Sequence, residues 1–405
     1  MRILHLSSLY APDSFGGAEK VVETLAEISA CSGMEVAVAC VVRNPTQASC
    51  RNGVQLRPLT HRNLLWIEDS ARYPGIVRNF NKIVTLLNVS TAADFREILC
   101  DFKPDIVHSH SMVELTPMMW KLAKHSGATV IHTLHDYDLL CIRATLFKGG
   151  SQCHARHLPC AVFSKIKRAY HRYIDAVVGV SQSILQTHLE FGFFEHLVPE
   201  LRRVIWNPVR DGVSAAAGVR KHEAPASQVV LGFIGRLVDE KGISILLQAC
   251  ALLKSRAWKL RVAGRAPRAD SRYRELARGM PVEFVGYMDR AEFFSQIDLL
   301  VIPSIWKEPF GLVVLEAYKE GVPVLGSDVG GIAEIIRAVD EGALFPPDNP
   351  PALASRLDEF IEKRAAAPSR EKFAAVCSEV NPEVVMQRYL SIYHAALLQS
   401  TKEIQ

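Results

Sequence analysis

Short runs rich in Val, Ile and Leu alternate with stretches of helical period along most of the chain. ILHLS (3–7) precedes a helical pattern over 17–31, which leads into EVAVACVV (35–42), a strand–helix–strand unit. The rhythm resumes with PDIVHSH (104–110), a helix over 115–124, ATVIHTLH (128–135), a helix over 164–173, and DAVVGVS (175–181). These strands are apolar on both faces, as strands of a parallel sheet covered by helices are. Residues 51–91 give the weakest pattern.

The segment 211–227, DGVSAAAGVRKHEAPAS, carries no apolar period and predicts a linker. Beyond it a second series begins: VVLGFIG (229–235), a helix over 243–254, KLRVAG (259–264), VEFVG (282–286), DLLVIPS (298–304), a helix over 311–320, PVLGS (323–327) and a helix from Ile332. The expected fold class is α/β, with two doubly wound domains facing across a cleft. The first spans 1–210 and the second 228–380, and a last helix in 381–405 is expected to return to the first.

A length of 405 residues suits two domains. Lys and Arg outnumber Asp and Glu by only 47 to 43, which argues against a dedicated nucleic-acid binder. No apolar run approaches the ~18 residues of a membrane span, and the N-terminus reads as a buried strand rather than a signal peptide. Nine scattered cysteines do not suggest a disulfide framework, so a reducing cytoplasm is expected.

In doubly wound domains ligands gather at the C-terminal ends of the strands. Neither G-x-G-x-x-G after a strand nor G-x-x-x-x-G-K-[ST] occurs, so nicotinamide and P-loop chemistry lose ground. Strand 229–235 instead ends in Gly235, where backbone can approach a ligand. Arg236 and Lys241 follow, two positive charges at a helix start that suit a diphosphate. In KEPFGLVVLEA (307–317), Glu308 precedes the helix opening at Phe310 and Gly311, where the amides of Gly311 and Leu312 would be free. Glu316, on an otherwise apolar face, could accept hydrogen bonds from a ribose diol. Gly330-Gly331 reads as a second anion cradle at the next helix start.

GRLVDEKG (235–242), RVAG (261–264), FVGYMD (284–289), KEPFGLVVLEA (307–317) and GVPVLGSDVGG (321–331) together closely resemble the donor-binding domain of glycosyltransferase family 4, retaining enzymes of the GT-B fold. The resemblance continues through GGAE (16–19), DIVHSHS (105–111), TLHDYDLLC (133–141), GVSQS (179–183) and WNPV (206–209). It implies that Arg236 and Lys241 neutralise the diphosphate of a nucleotide-sugar donor and that Glu316 binds its ribose. Glu308 and the amides around Phe310, Gly311 and Leu312 would hold the transferred sugar. The segment containing Tyr287 would line the base pocket, with Gly235 and Gly264 close to the donor. His135 matches the family's active-site histidine, and Gly16 and Gly17 its phosphate- or acceptor-side glycines. The implied reaction transfers a hexose-type sugar to a glycan or lipid-linked acceptor, plausibly in bacterial surface polysaccharide assembly, with no metal or other cofactor and with Glu308 and Glu316 not acting as a glycosidase pair. Nucleotide-sugar epimerisation and a non-catalytic nucleotide- or glycan-binding role are the alternatives.

Four further features carry a plainer reading beside a functional one. Asp136-Tyr137-Asp138 is a D-x-D, which binds metal-diphosphate in another glycosyltransferase fold; here the cationic side chains already serve that purpose. Cys141, Cys153 and Cys160, with His154 and His157, have the residue types of a zinc site but lack C-x-x-C, and free thiols are the plainer reading. His108 and His110 alternate on a strand and are expected to point to opposite faces, with His110 toward the cleft. Arg57, Arg62, Arg72, Arg78 and Lys82 near Leu64, Leu65, Trp66 and Phe80 would suit a peripheral inner-membrane contact, although a solvated helical face explains them as simply.

Overall fold

The computed structural model describes residues 1–404 except 12–15, 44–48, 67–68, 211–227, 266–270 and 364–369. The segment expected to be a linker, 211–227, therefore lies outside the described residues. Two compact units are present. One comprises Met1–Leu146, His154–Pro208 and Asn381–Gln405, the other Phe147–Cys153 and Val209–Val380.

The strands of the first unit are β1 (Arg2–Ser7), β2 (Glu35–Val42), β3 (Ser49–Arg51), β4 (Val54–Thr60), β5 (Ile106–Ser109) and β6 (Thr129–Leu134), and, after the short hairpin β7 (Phe147–Lys148) and β8 (Ser151–Gln152) of the other unit, β9 (Ala176–Gly179) and β10 (Arg202–Val204). They form one sheet in the order β10-β9-β6-β5-β1-β2-β4-β3, parallel except for the β3–β4 pair. The helix Gly17–Cys31 lies on this sheet, its Val22 and Ala26 packing with Val36, Val38, Cys40 and Val54. The poorly patterned stretch holds β3, β4 and the helix Gly75–Leu86. β4 hid because Arg57 and Pro58 interrupt its apolar alternation, which an outer strand of the sheet tolerates. The helix expected over 164–173 instead runs Leu158–Tyr170, with Pro159 in its first turn, a position that needs no N–H donor.

The second unit has the sheet β11 (Val229–Ile234), β12 (Trp258–Ala263), β13 (Val282–Gly286), β14 (Leu299–Ile302), β15 (Val324–Ser327) and β16 (Leu344–Phe345) in the order β13-β12-β11-β14-β15-β16, every pairing parallel. Leu231, Phe233, Leu246, Leu260 and Val262 pack with Leu353 and Leu357 of the helix Pro350–Lys363 in its core. Strand order reverses between β11 and β14 here, and between β1 and β5 in the first unit. A doubly wound sheet opens a crevice at such a point.

The helix Pro382–Ile404 belongs to the first unit. Its Tyr389 and Tyr393 are fully buried there, and Ser29 Oγ donates to Met386 Sδ at 3.2 Å.

Candidate active site

The strand ends of the second unit are bare backbone. β11 is followed by Gly235 (φ 156°) and β12 by Gly264 (φ 142°), while β13 ends at Gly286 (φ 74°). A Cβ on Gly264 would stand 1.8 Å from the Gly235 carbonyl oxygen, and the Gly264 amide donates to Gly286 O at 2.7 Å. Three adjacent strands thus end in a shelf without side chains, where a ligand can come against peptide groups.

Lys241 lies in the loop that follows β11. A short 3-10 turn, Asp239–Lys241, leads through Gly242 (φ 73°) into the helix Ile243–Ala251. A Cβ on Gly242 would lie 1.7 Å from the Pro303 carbonyl oxygen, so only glycine lets this turn sit against the end of β14. Lys241 Nζ donates to Glu308 Oε2 at 2.7 Å and lies 5.6 Å from the Trp306 ring centroid. Glu308 is buried, and among the described residues its Oε1 has no hydrogen-bond partner. Arg236 is largely exposed, 3.8 Å from Glu240. Lysine and glutamate thus neutralise one another, while Arg236 is the more exposed cation.

The helix Leu312–Lys319 starts after Gly311 (φ 144°), so its first amides have no acceptor within the helix. Phe310 is buried beneath this turn. Glu316 pairs through Oε1 with Arg290 Nη1, while its Oε2 is buried with no partner among the described residues. Arg290 was not singled out from the sequence; its position directly after FVGYMD was the available signal. Tyr287 is exposed, with the Arg265 guanidinium 5.3 Å from its ring centroid. Gly330 and Gly331 do not act as a second cradle. A Cβ on either would meet backbone of 307–310, and the Gly331 amide is spent on Glu308 O at 2.8 Å. These glycines hold the Glu308 loop.

In the first unit, Gly16 is the extended N-cap of the helix that opens at Gly17, and a Cβ on Gly16 would meet Glu19 Oε2 at 2.7 Å. His135 follows β6. His108 and His110 do not point to opposite faces: residues two apart on a strand share a face, and their rings are 4.0 Å apart. His110 Nδ1 is 3.0 Å from His135 Nε2, and its Nε2 is 3.0 Å from His5 Nδ1. His5, buried at the centre of β1, was missed because a single histidine in an apolar strand carries no motif. Burial pushes His5 down to about 3 and His135 down to about 4, and His110 well below its ordinary value. All three rings are neutral at physiological pH.

The D-x-D carboxylates are engaged internally. Asp138 forms a buried ion pair with Lys167, and Asp136 accepts from the Ser111 hydroxyl at 3.1 Å and from the Asp138 amide at 2.7 Å. Cys141 and Cys160 are 3.9 Å apart, sulfur to sulfur. Neither they nor Cys153, His154 and His157 form a three-ligand metal cluster; among the described residues only His5, His108 and His110 come that close together.

The model described as Glycosyltransferase Family 4 matches residues 15–211, and that described as Glycosyl transferases group 1 matches residues 228–363. A Klebsiella pneumoniae protein known as an uncharacterized 42.6 kDa protein in cps region is 32% identical over 338 residues, 83% of this chain and 88% of its own. Sucrose-phosphate synthase from Thermosynechococcus elongatus superposes with a TM-score of 0.74 at 20% identity, over 98% of this chain and 100% of its own. Anabaena HepE in complex with UDP and glucose gives 0.68 at 18% identity over the same shares. The fold is that of the GT-B glycosyltransferases, two Rossmann-like domains in one chain. This chain belongs to glycosyltransferase family 4 and is a transferase.

Proposed function

We propose that the protein transfers a hexose-type sugar, with retention, from a nucleoside diphosphate donor to a glycan or lipid-linked acceptor in surface polysaccharide assembly. The observation that carries this reading is the combination, in one unit, of glycine-ended strands β11, β12 and β13 with the Lys241–Glu308 pair and a half-satisfied Glu316. The diphosphate draws Lys241 and Arg236, leaving Glu308 and the amides near Gly311 and Leu312 for sugar hydroxyls. The open oxygen of Glu316 accepts from the ribose diol while Arg290 holds the carboxylate in place. As the bond from the anomeric carbon to phosphate oxygen breaks, charge grows on the phosphate, and pre-positioned cations are worth most there. The acceptor oxygen bonds on the same face and its proton passes to the departing phosphate. His135, in the first unit, is read as a contact to a substrate oxygen. No cofactor is assigned: the ammonium and guanidinium supply the charge that a metal would, so a chelator leaves turnover unchanged. The relative in a cps region and the UDP and glucose in HepE support the polysaccharide setting and the donor class.

A peripheral lipid contact is part of the same reading. On the helix Gly75–Leu86 and the residue after it, Ile76, Phe80, Ile83 and Leu87 lie along one side and are exposed, while Asn81 and Thr85 are buried. The helix Leu158–Tyr170 packs nearby and exposes Leu158 and Val162. Neither helix has an acidic residue, and Arg78, Lys165 and Arg168 lie among them. An apolar ridge with cationic flanks fits an anionic bilayer. Among the described residues no helix is long and apolar enough to cross a membrane.

The test is a thermal-shift screen against UDP-, GDP- and ADP-sugars, followed by donor hydrolysis and acceptor transfer. Stabilisation by one sugar nucleotide and release of its diphosphate support the reading. No shift with any of them, or unchanged donor affinity in Lys241→Ala, overturns the donor site. Sedimentation with anionic vesicles, lost in the pair Ile76→Ser and Phe80→Ser, checks the lipid contact.

A further inference from the structure

Three histidines of the first unit, His5, His110 and His135, form a continuous string, of which the reading above, on which this inference rests, uses only His135. His5 Nδ1 and His110 Nε2 are 3.0 Å apart, as are His110 Nδ1 and His135 Nε2. His5 and His110 are buried, with relative exposures of 0% and 1%. The two end nitrogens, His5 Nε2 and His135 Nδ1, have no partner among the described residues. A neutral imidazole carries one proton, so each ring that donates through one nitrogen must accept through the other. The string therefore has only two neutral arrangements. Either every proton points outward, ending in Nδ1–H on His135, or every proton points inward, ending in Nε2–H on His5.

The two arrangements differ in cost. The inward one leaves an N–H without an acceptor inside the sheet, the rarer and more costly kind of orphan; the outward one leaves only a lone pair there. At the other end the His135 residue is partly exposed at the strand end although its Nδ1 is itself covered, so the N–H there is unpaired among the described residues and is the one left for an incoming substrate oxygen. The geometry points to His5 and His110 as positioning residues that fix His135 as a neutral hydrogen-bond donor through Nδ1, matched to a hydroxyl or phosphate oxygen of the substrate and unable to act as a base there. His5 donates to His110, His110 donates to His135, and His135 donates to the substrate.

A metal ion shared by His5, His108 and His110, whose ligand atoms lie within 4.8 Å of one another, is the competing account. It must displace hydroxyl partners from His108, whose Nδ1 is 2.7 Å from Tyr393 Oη and Nε2 2.7 Å from Thr133 Oγ1. The string needs no such rearrangement.

Two-bond proton–nitrogen correlation spectra of the full chain with 15N-labelled histidine read the tautomers directly, without turnover. The expected result is a proton on Nδ1 of His5, His110 and His135. His110→Phe and His5→Leu each cut the string, and either is expected to return His135 to a tautomer mixture. In His110→Phe, kcat should fall by roughly 10- to 100-fold with little change in donor KM. A proton on Nε2 of wild-type His135, an unchanged His135 spectrum in both variants, or one equivalent of tightly bound zinc overturns the inference. If the tautomers are as stated but His135→Ala transfers sugar normally, the string stands and the role assigned to His135 in transfer fails.

Discussion

The glycine shelf of the second unit and the histidine string of the first handle charge in opposite ways. Around the shelf, ionised groups are kept and balanced: Lys241 against Glu308, Arg290 against Glu316, Arg236 against Glu240. Around the string, ionisation is suppressed by burial, with His5 and His135 pushed down to about 3 and 4. On the function proposed above, a site that receives and releases a diphosphate needs cations whose partners can let go. A site that must orient a hydroxyl or phosphate oxygen needs a proton fixed on one atom, and a dry interior fixes it.

The sharpest way to break the first half of this contrast is Gly242→Ala. With a Cβ 1.7 Å from the Pro303 oxygen at φ 73°, the variant is expected to lose about 4 kcal/mol or more, read as a collapse of the denaturation midpoint. A midpoint close to wild type would show that the turn does not depend on glycine. Lys241→Ala should lower kcat by roughly 100- to 1000-fold; a kcat within a few-fold of wild type would mean that Arg236 alone carries the phosphate charge.

The string is probed by pH. Unfolded His5 takes a proton below its ordinary value of 6.5, whereas folded His5 does so only near 3. Its contribution is therefore complete above 6.5 and is lost as pH falls toward 3, at about 1.4 kcal/mol per unit for this residue alone. Urea midpoints that stay level between pH 7 and 4 would contradict neutral burial. The smallest effect is expected from Glu316→Gln, about tenfold weaker nucleotide binding by calorimetry. An equal loss for inorganic pyrophosphate would place Glu316 away from the ribose.

Much of the second unit was legible because its chemistry sits in short ordered motifs at strand ends. Gly235, Lys241, Glu308 and Glu316 could be named before any geometry. The pairing of those charges was not legible, since Arg290 reaches Glu316 only through the fold. Gly330 and Gly331 were misjudged because a glycine pair reads alike whether it cradles an anion or lets two backbones touch. In the first unit β4 was obscured by Arg57 and Pro58. His5 was invisible because its meaning comes from neighbours that the parallel register brings alongside, His5 opposite His108. The opposed faces expected of His108 and His110 came from misapplying the period of two, which puts both on one side.

The helix Pro382–Ile404 supplies two tyrosines to the interior of the first unit, and Tyr393 Oη is 2.7 Å from His108 Nδ1. That interior is thus completed by residues that follow the whole second unit in the chain. During synthesis the earlier half waits with its aromatic plug missing until nearly the whole chain has been made. Agents that protect exposed apolar chain should accordingly be needed by nascent residues 1–208 for longer than by the segment that follows them.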